Sequence, residues 1–165
     1  PFLRRKWINY SNSSKMKAII ATTLMLILLG LPNQQSLDPD LLAMEREIAN
    51  LVNVHRESLG LDVLEFTEAI NQVARQHSFD MASGRVDFGH DGFSLRTSAI
   101  TKLMGGMAFA ENVAYGHTKA ENAVNSWLNS SGHKKNIEGN YSHTGVGIAK
   151  NQYGTLYFTQ IFVKK

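Results

Sequence analysis

No cysteine occurs anywhere in the 165-residue chain. That excludes disulfide staples, a lipid attached through an N-terminal cysteine, and a thiol nucleophile. A domain of this length buries enough surface to fold without such staples. A run of roughly 20 apolar residues, the length a membrane-spanning helix needs, is also missing; the apolar stretch near the N-terminus, Ala18 to Leu31, has 14 positions. Acidic residues are absent from positions 1–36, which carry five basic ones (Arg4, Arg5, Lys6, Lys15 and Lys17). From Leu37 onward 12 Lys and Arg face 14 Asp and Glu, so the overall charge of +3 belongs to the N-terminal segment. A phosphate-binding surface on the remaining domain is therefore unsupported, and no nucleic-acid partner is expected. Repeats and low-complexity stretches are absent as well. What is present, 43% apolar and 19% charged residues, is the composition of an ordinary folded domain.

Lys15-Met16-Lys17, then the apolar run, then Pro32-Asn33-Gln34-Gln35-Ser36, has the order of a secretory signal peptide. Residues 16–36 are read as a signal peptide or N-terminal anchor, and 1–15 as a segment upstream of a start at Met16. Residues 37–165 are then the working domain, secreted or extracytoplasmic, touching a membrane only through an uncleaved leader.

Within that domain Asp38-Pro39 signals a helix start. Leu41, Met44, Ile48, Leu51, Val52, His55 and Leu59 recur at helical spacing, and Gly60 suits the C-terminal cap. A second helix is expected from about Thr67 to Ser83, with Ile70, Val73, Ala74, His77 and Met81 on one stripe. A third runs from about Ser94 to Met104. Thr118-Lys-Ala-Glu121 has the form of a capping box, opening a helix through Trp127 and Leu128 that breaks at Ser130-Ser131-Gly132. Thr144 to Ala149 and Thr155 to Val163 read as strands joined by the turn Asn151 to Gly154, and Ala110 to Ala114 as a third. Helices first and an antiparallel hairpin last make the class α+β. His55 and His77 occupy core-facing positions and read as packing residues, as do Trp127 and Phe158.

Five segments in order resemble the CAP superfamily, the SCP-like extracellular proteins, in its prokaryotic type. They are Val54 to Leu61, Phe88-Gly89-His90, Ala110-Glu111-Asn112, the block Ser126 to Ile137 with its Trp127 and Gly132-His133, and Gly145-Val146-Gly147 followed by Tyr157 to Phe162. The resemblance covers roughly residues 45–163. It implies a three-layer α-β-α sandwich around a mostly antiparallel sheet. It also implies a cleft in which two His and two acidic residues converge and for which divalent metal binding has been proposed. Carried over, His90 matches the first His and Glu111 the first acid. Ser130 stands where the second acid belongs, and Tyr157 where the second His is expected.

His133 lies three residues beyond Ser130 and offers a replacement imidazole. Imidazole and carboxylate suit zinc, and an open zinc site takes three protein ligands and water. His90, Glu111 and His133 are therefore the candidate ligands for Zn or another divalent cation, with Tyr157 or Ser130 behind them. Against this stands a purely structural network, in which Glu111 hydrogen-bonded to His90 satisfies a buried carboxylate without metal. Asn112 and Asn136 are expected to tie the cleft loops together.

No Ser-His-Asp order, cysteine nucleophile or paired glycosidase-like carboxylates can be assigned, so no catalytic residue is named. Three functions remain open. One is an extracellular binding module for a lipid, an envelope component or a protein. The second is a metal-dependent hydrolase of peptide or envelope polymer in the His/Glu cleft. The third is a purely structural envelope protein.

Overall fold

A computed structural model describes residues 38–165; the expectations for the leader and the upstream segment fall outside those residues. Helix α1 (Pro39–Ser58) starts as Asp38 accepts a hydrogen bond from the Asp40 amide, 3.0 Å away. It ends where Gly60, at φ +72°, takes the left-handed conformation that only glycine adopts cheaply. There follow β1 (Glu65–Phe66), α2 (Glu68–Ala82), α3 (Phe93–Met104), β2 (Ala108–Tyr115), α4 (Ala120–Leu128), α5 (Ser131–Ile137), β3 (His143–Lys150) and β4 (Leu156–Lys164).

The four strands form one sheet in the order β1-β3-β4-β2. β4 pairs antiparallel with both β3 and β2, and only the short β1–β3 pair is parallel. Because side chains alternate along a strand, β4 sends Phe158 and Phe162 to one face and Ile161 and Val163 to the other. The first face is covered by Ile48 and Val52 of α1, by Ala123, Val124 and Trp127 of α4, and by Ile137 of α5. The second is covered by Ile70 and Ala74 of α2 and Ile100 of α3. The three-layer α-β-α sandwich expected from the sequence is the architecture found, and Trp127 and Phe158 are core residues.

Glycine spacing lets α2 lie flat on β3. A Cβ on Gly147 would come within 2.0 Å of the Arg75 backbone nitrogen, and one on Gly145 within 2.6 Å of the backbone at Ile70 and Asn71. A buried ion pair locks the same contact: Arg75 of α2 grips both oxygens of Glu45 from α1, while Glu45 Oε1 also accepts from the Ile148 amide. Burial pushes the Glu45 carboxyl up, and its bonds to Arg75 only partly offset that.

Three local expectations need correction. The capping box does not form, because α4 begins at Ala120 with Lys119 as its extended cap and no side-chain capping bond. Burial of Ala120, Ala123, Val124 and Trp127 along one side sets the start of this helix. The chain does not simply break at Ser130 to Gly132; Ser130 opens a further helix, α5. His55 is no packing residue either, for its Nε2 lies 2.9 Å from Glu138 Oε1. His77 is buried as expected.

Candidate functional site

β2 is an edge strand of the sheet, and an edge strand leaves carbonyls without partners. Here side chains supply the donors. Trp127 Nε1 donates to the Val113 carbonyl at 3.2 Å, and Asn136 Nδ2 to the Glu111 carbonyl at 3.1 Å. Asn136 donates also to Asn112 Oδ1 (2.9 Å), and Asn112 Nδ2 to the His133 carbonyl (3.2 Å). The asparagines thus tie α5 to the strand edge rather than joining loops, and α5 brings His133 beside β2.

Alternation along β2 sends Asn112 toward α5 and Glu111 to the opposite face, over α2 and α3. The Glu111 side chain is 2% exposed. Its Oε1 accepts from His90 Nδ1 at 2.9 Å. Arg96 of α3 takes both carboxylate oxygens, Nε to Oε2 at 2.7 Å and Nη2 to Oε1 at 2.6 Å. Two parallel N–H···O bonds of this kind are the strong, geometrically specific form of a charge pair. Arg96 also donates to the carbonyls of Asp91 (2.7 Å) and His90 (3.3 Å), so one guanidinium fixes the carboxylate and the loop that carries His90.

His77 closes the site from behind. Its Nε2 donates to the Gly89 carbonyl at 2.9 Å, which pins the same loop. The ring stands 3.9 Å from Glu111 Oε1, a contact that would raise an imidazole pKa. Burial nevertheless pushes His77 below its ordinary value, with the Arg96 charge adding to that. Burial outweighs the bond to the Gly89 carbonyl and the attraction of Glu111, both of which act upward. His133 is half-buried; burial lowers its pKa, and so does the neighbouring charge of His90. The two imidazoles are therefore electrostatic neighbours.

The His90 side chain is 52% exposed. Since Nδ1 donates to Glu111, Nε2 of the neutral ring carries the lone pair. The result is an oriented imidazole backed by a buried ion pair, open on its outer side.

Of the expected site residues, His90 and Glu111 meet directly, while Asn112 lies on the other face of β2 and bonds the His133 carbonyl. Ser130 is the extended residue that starts α5, with no side-chain capping bond. Tyr157 does not join them: it pairs with Tyr115, four residues along β2 from Glu111, roughly 13 Å away at about 3.3 Å per residue. Arg96 and the pinning role of His77 are not legible in the sequence, where neither belongs to a recognisable spacing.

The donor set does not fit a three-ligand zinc site. Among the described residues no three His, Cys, Asp or Glu side chains are placed to hold a metal ion. Both Glu111 oxygens are occupied by Arg96, and a dication at the carboxylate would meet a fixed positive charge at contact distance.

The family model described as "CAP: Cysteine-rich secretory protein family" matches residues 49–162. The chain is similar to the uncharacterized membrane protein YlbC of Bacillus subtilis, 34% identical over 125 residues that cover 73% of this chain and 34% of that protein. It is also similar to the uncharacterized protein YkwD of Bacillus subtilis, 32% identical over 127 residues, covering 74% of this chain and 48% of that protein. It thus spans between a third and a half of the length of these relatives. Among solved structures, an extracellular protein containing an SCP domain from Bacillus anthracis superposes with a TM-score of 0.66 at 30% identity, over 80% of this chain and 45% of that one. An outer surface protein from Borrelia burgdorferi gives 0.65 at 23% identity over 73% and 91%, a likeness of fold.

Proposed function

The chain belongs to the cysteine-rich secretory protein (CAP) family, and from that premise we propose that it is an extracytoplasmic binding module that receives its ligand at the surface around His90 and His133. The observation that carries this reading is the Arg96 clamp on Glu111. A carboxylate held bidentately by an internal cation is spent on architecture. What it presents outward is one oriented imidazole, His90, with His133 as its electrostatic neighbour. Polar groups few in number and fixed in direction are what a recognition site requires.

Location outside the cytoplasm is supported by relatives described as an extracellular protein and an outer surface protein. No helix of the described residues is long and apolar enough to cross a membrane. A lipid, an envelope component and a protein remain the ligand classes to separate.

A carboxylate-backed imidazole is also half of an acid–base apparatus. Among the described residues, however, no serine or threonine hydroxyl is hydrogen-bonded to His90, and the metal that the hydrolase reading needs has no ligand set. The test incubates the full chain with murein sacculi, extracted membrane lipid and a surface-protein fraction, with and without chelator. The expected result is one fraction retained unchanged, insensitive to chelator and released by His90→Ala. New reaction products, or retention that chelator abolishes, would overturn the reading in favour of a metal-dependent hydrolase.

A further inference from the structure

A second surface begins two residues before His90. The Phe88 ring meets the Tyr115 ring edge-on, with centroids 4.8 Å apart, and Tyr115 stacks on Tyr157 at 5.7 Å and 21°. Phe88 is 47% and Tyr115 56% exposed. Soluble domains rarely leave contiguous large apolar side chains in water without a partner for them. Tyr157 is also one wall of a cleft of about 530 Å³, together with Phe79, Met81, Lys150, Gln152 and Tyr153. Tyr153, at the tip of the β3–β4 turn, is 83% exposed. The volume is that of a small-ligand site. Three aromatic rings in succession lead into it from the His90 end of the domain.

We propose that this ladder and cleft form a binding platform for a polysaccharide strand of uncharged sugars, a second site that rests on the reading of the chain as an extracytoplasmic binding module. The chemistry of the lining selects this ligand over others. A pyranose ring has an apolar face of C–H bonds and a rim of hydroxyls. The flat faces of Tyr and Phe pack against the first, while amides and phenol hydroxyls at the edge bond the second. Gln152 and the tyrosine hydroxyls provide that edge.

An acyl chain would instead need a wall of aliphatic side chains, and here the non-aromatic apolar residues of the lining are only Met81 and Ala82. An anionic ligand would need cations. The one cation among the described residues lining the cleft is Lys150, and its Nζ lies 3.9 Å from Asp38 Oδ2. Rings that follow one another from Phe88 through Tyr115 to Tyr157 suit successive units of a chain better than a single compact ligand.

The test titrates the isotopically labelled full chain with two soluble probes, the hexamer of β-1,4-linked N-acetylglucosamine and cellohexaose, followed by NMR. Concentrations reach about 10 mM, which covers weak millimolar binding. At least one probe is expected to shift the backbone signals of Tyr115 and Tyr153 and the Gln152 side-chain amide in a saturable way. Tyr153→Ala and Tyr115→Ser each weaken that binding by about tenfold, the loss expected of an aromatic anchor. Both positions are exposed, and an unchanged melting temperature checks that each variant is folded. Lys102→Ala, an exposed position on α3 away from both surfaces, leaves the affinity within about twofold. No saturable shift with either probe, or shifts indifferent to both tyrosine variants, overturns the platform. Shifts confined to His90 and His133, and lost in His90→Ala, also overturn it, while leaving the reading at His90 intact.

Discussion

The Glu111 carboxylate lies almost wholly out of water, and Arg96 meets it with two of its N–H donors while a third fixes the Asp91 carbonyl. Removing one member of such a pair leaves the other buried without compensation, at a cost of about 3–5 kcal/mol. Arg96→Ala is therefore expected to lower unfolding free energy by about 3 kcal/mol in a urea titration. Arg96→Lys recovers only part of that, since an ammonium cannot reproduce the planar fork. Loss of less than about 0.5 kcal/mol in Arg96→Ala would mean that the clamp is not formed in solution.

His77 gives a pH signature at the same scale. Its folded pKa is depressed below the ordinary 6.5, so between the two values the unfolded chain holds more protons and stability rises with pH. The contribution is complete above 6.5 and is lost as pH falls through the folded value. His77→Gln is expected to flatten the decline in melting temperature on acidification from pH 7 to about 5; an unchanged slope would remove His77 as its cause. Glu45, with a raised pKa, acts in the opposite sense and is left in place by that substitution.

Elements meet through features that the sequence displays but does not explain by itself. Thr144-Gly-Val-Gly reads as a strand, and only the packed structure shows the two glycines as the floor on which α2 rests. Gly147→Ala would push a methyl group into the backbone of Arg75. Rigid backbone cannot yield as a side chain can, so a loss of about 3 kcal/mol is expected, the upper end for overpacking. Calorimetry of a folded Gly147→Ala variant with an undiminished melting temperature would contradict that contact. Asn136→Ala removes two bonds to β2 and should cost about 2 kcal/mol. Faster hydrogen exchange is expected throughout α5, and exchange unaltered there would show the helix to be held by other contacts.

The long amphipathic helices and the β3–β4 hairpin are legible in the sequence because each carries a period sustained over two or more turns or pleats. α5 is not, since Ser-Gly-His-Lys-Lys-Asn-Ile is seven residues long with a single buried apolar side chain at its end, too little for periodicity. Two-residue β1 escapes for the same reason. Among site residues His90, Glu111, Asn112 and His133 stand out through their motifs. Arg96 does not, because an arginine on a helix face is ordinarily solvated, and what makes it exceptional is a carboxylate on a strand fifteen residues away. Tyr157 belongs outside the cleft because register in the β2–β4 pair, not sequence order, decides its neighbour.

At the scale of the whole molecule, residues 38–165 are a cysteine-free CAP sandwich held by two apolar layers and a handful of buried polar locks. Nearly neutral charge from Leu37 onward leaves recognition to local chemistry, the imidazoles at one place and the aromatic ladder at another. At Glu111 an internal guanidinium occupies both carboxylate oxygens that a metal would need. The decisive measurement is elemental analysis of the purified full chain after exposure to zinc and gel filtration, beside the His90→Ala, His133→Ala double variant. Zinc is expected far below one ion per chain in both proteins, with melting temperatures that zinc does not raise. Near-stoichiometric zinc in the wild type, lost in a folded double variant, would contradict that expectation.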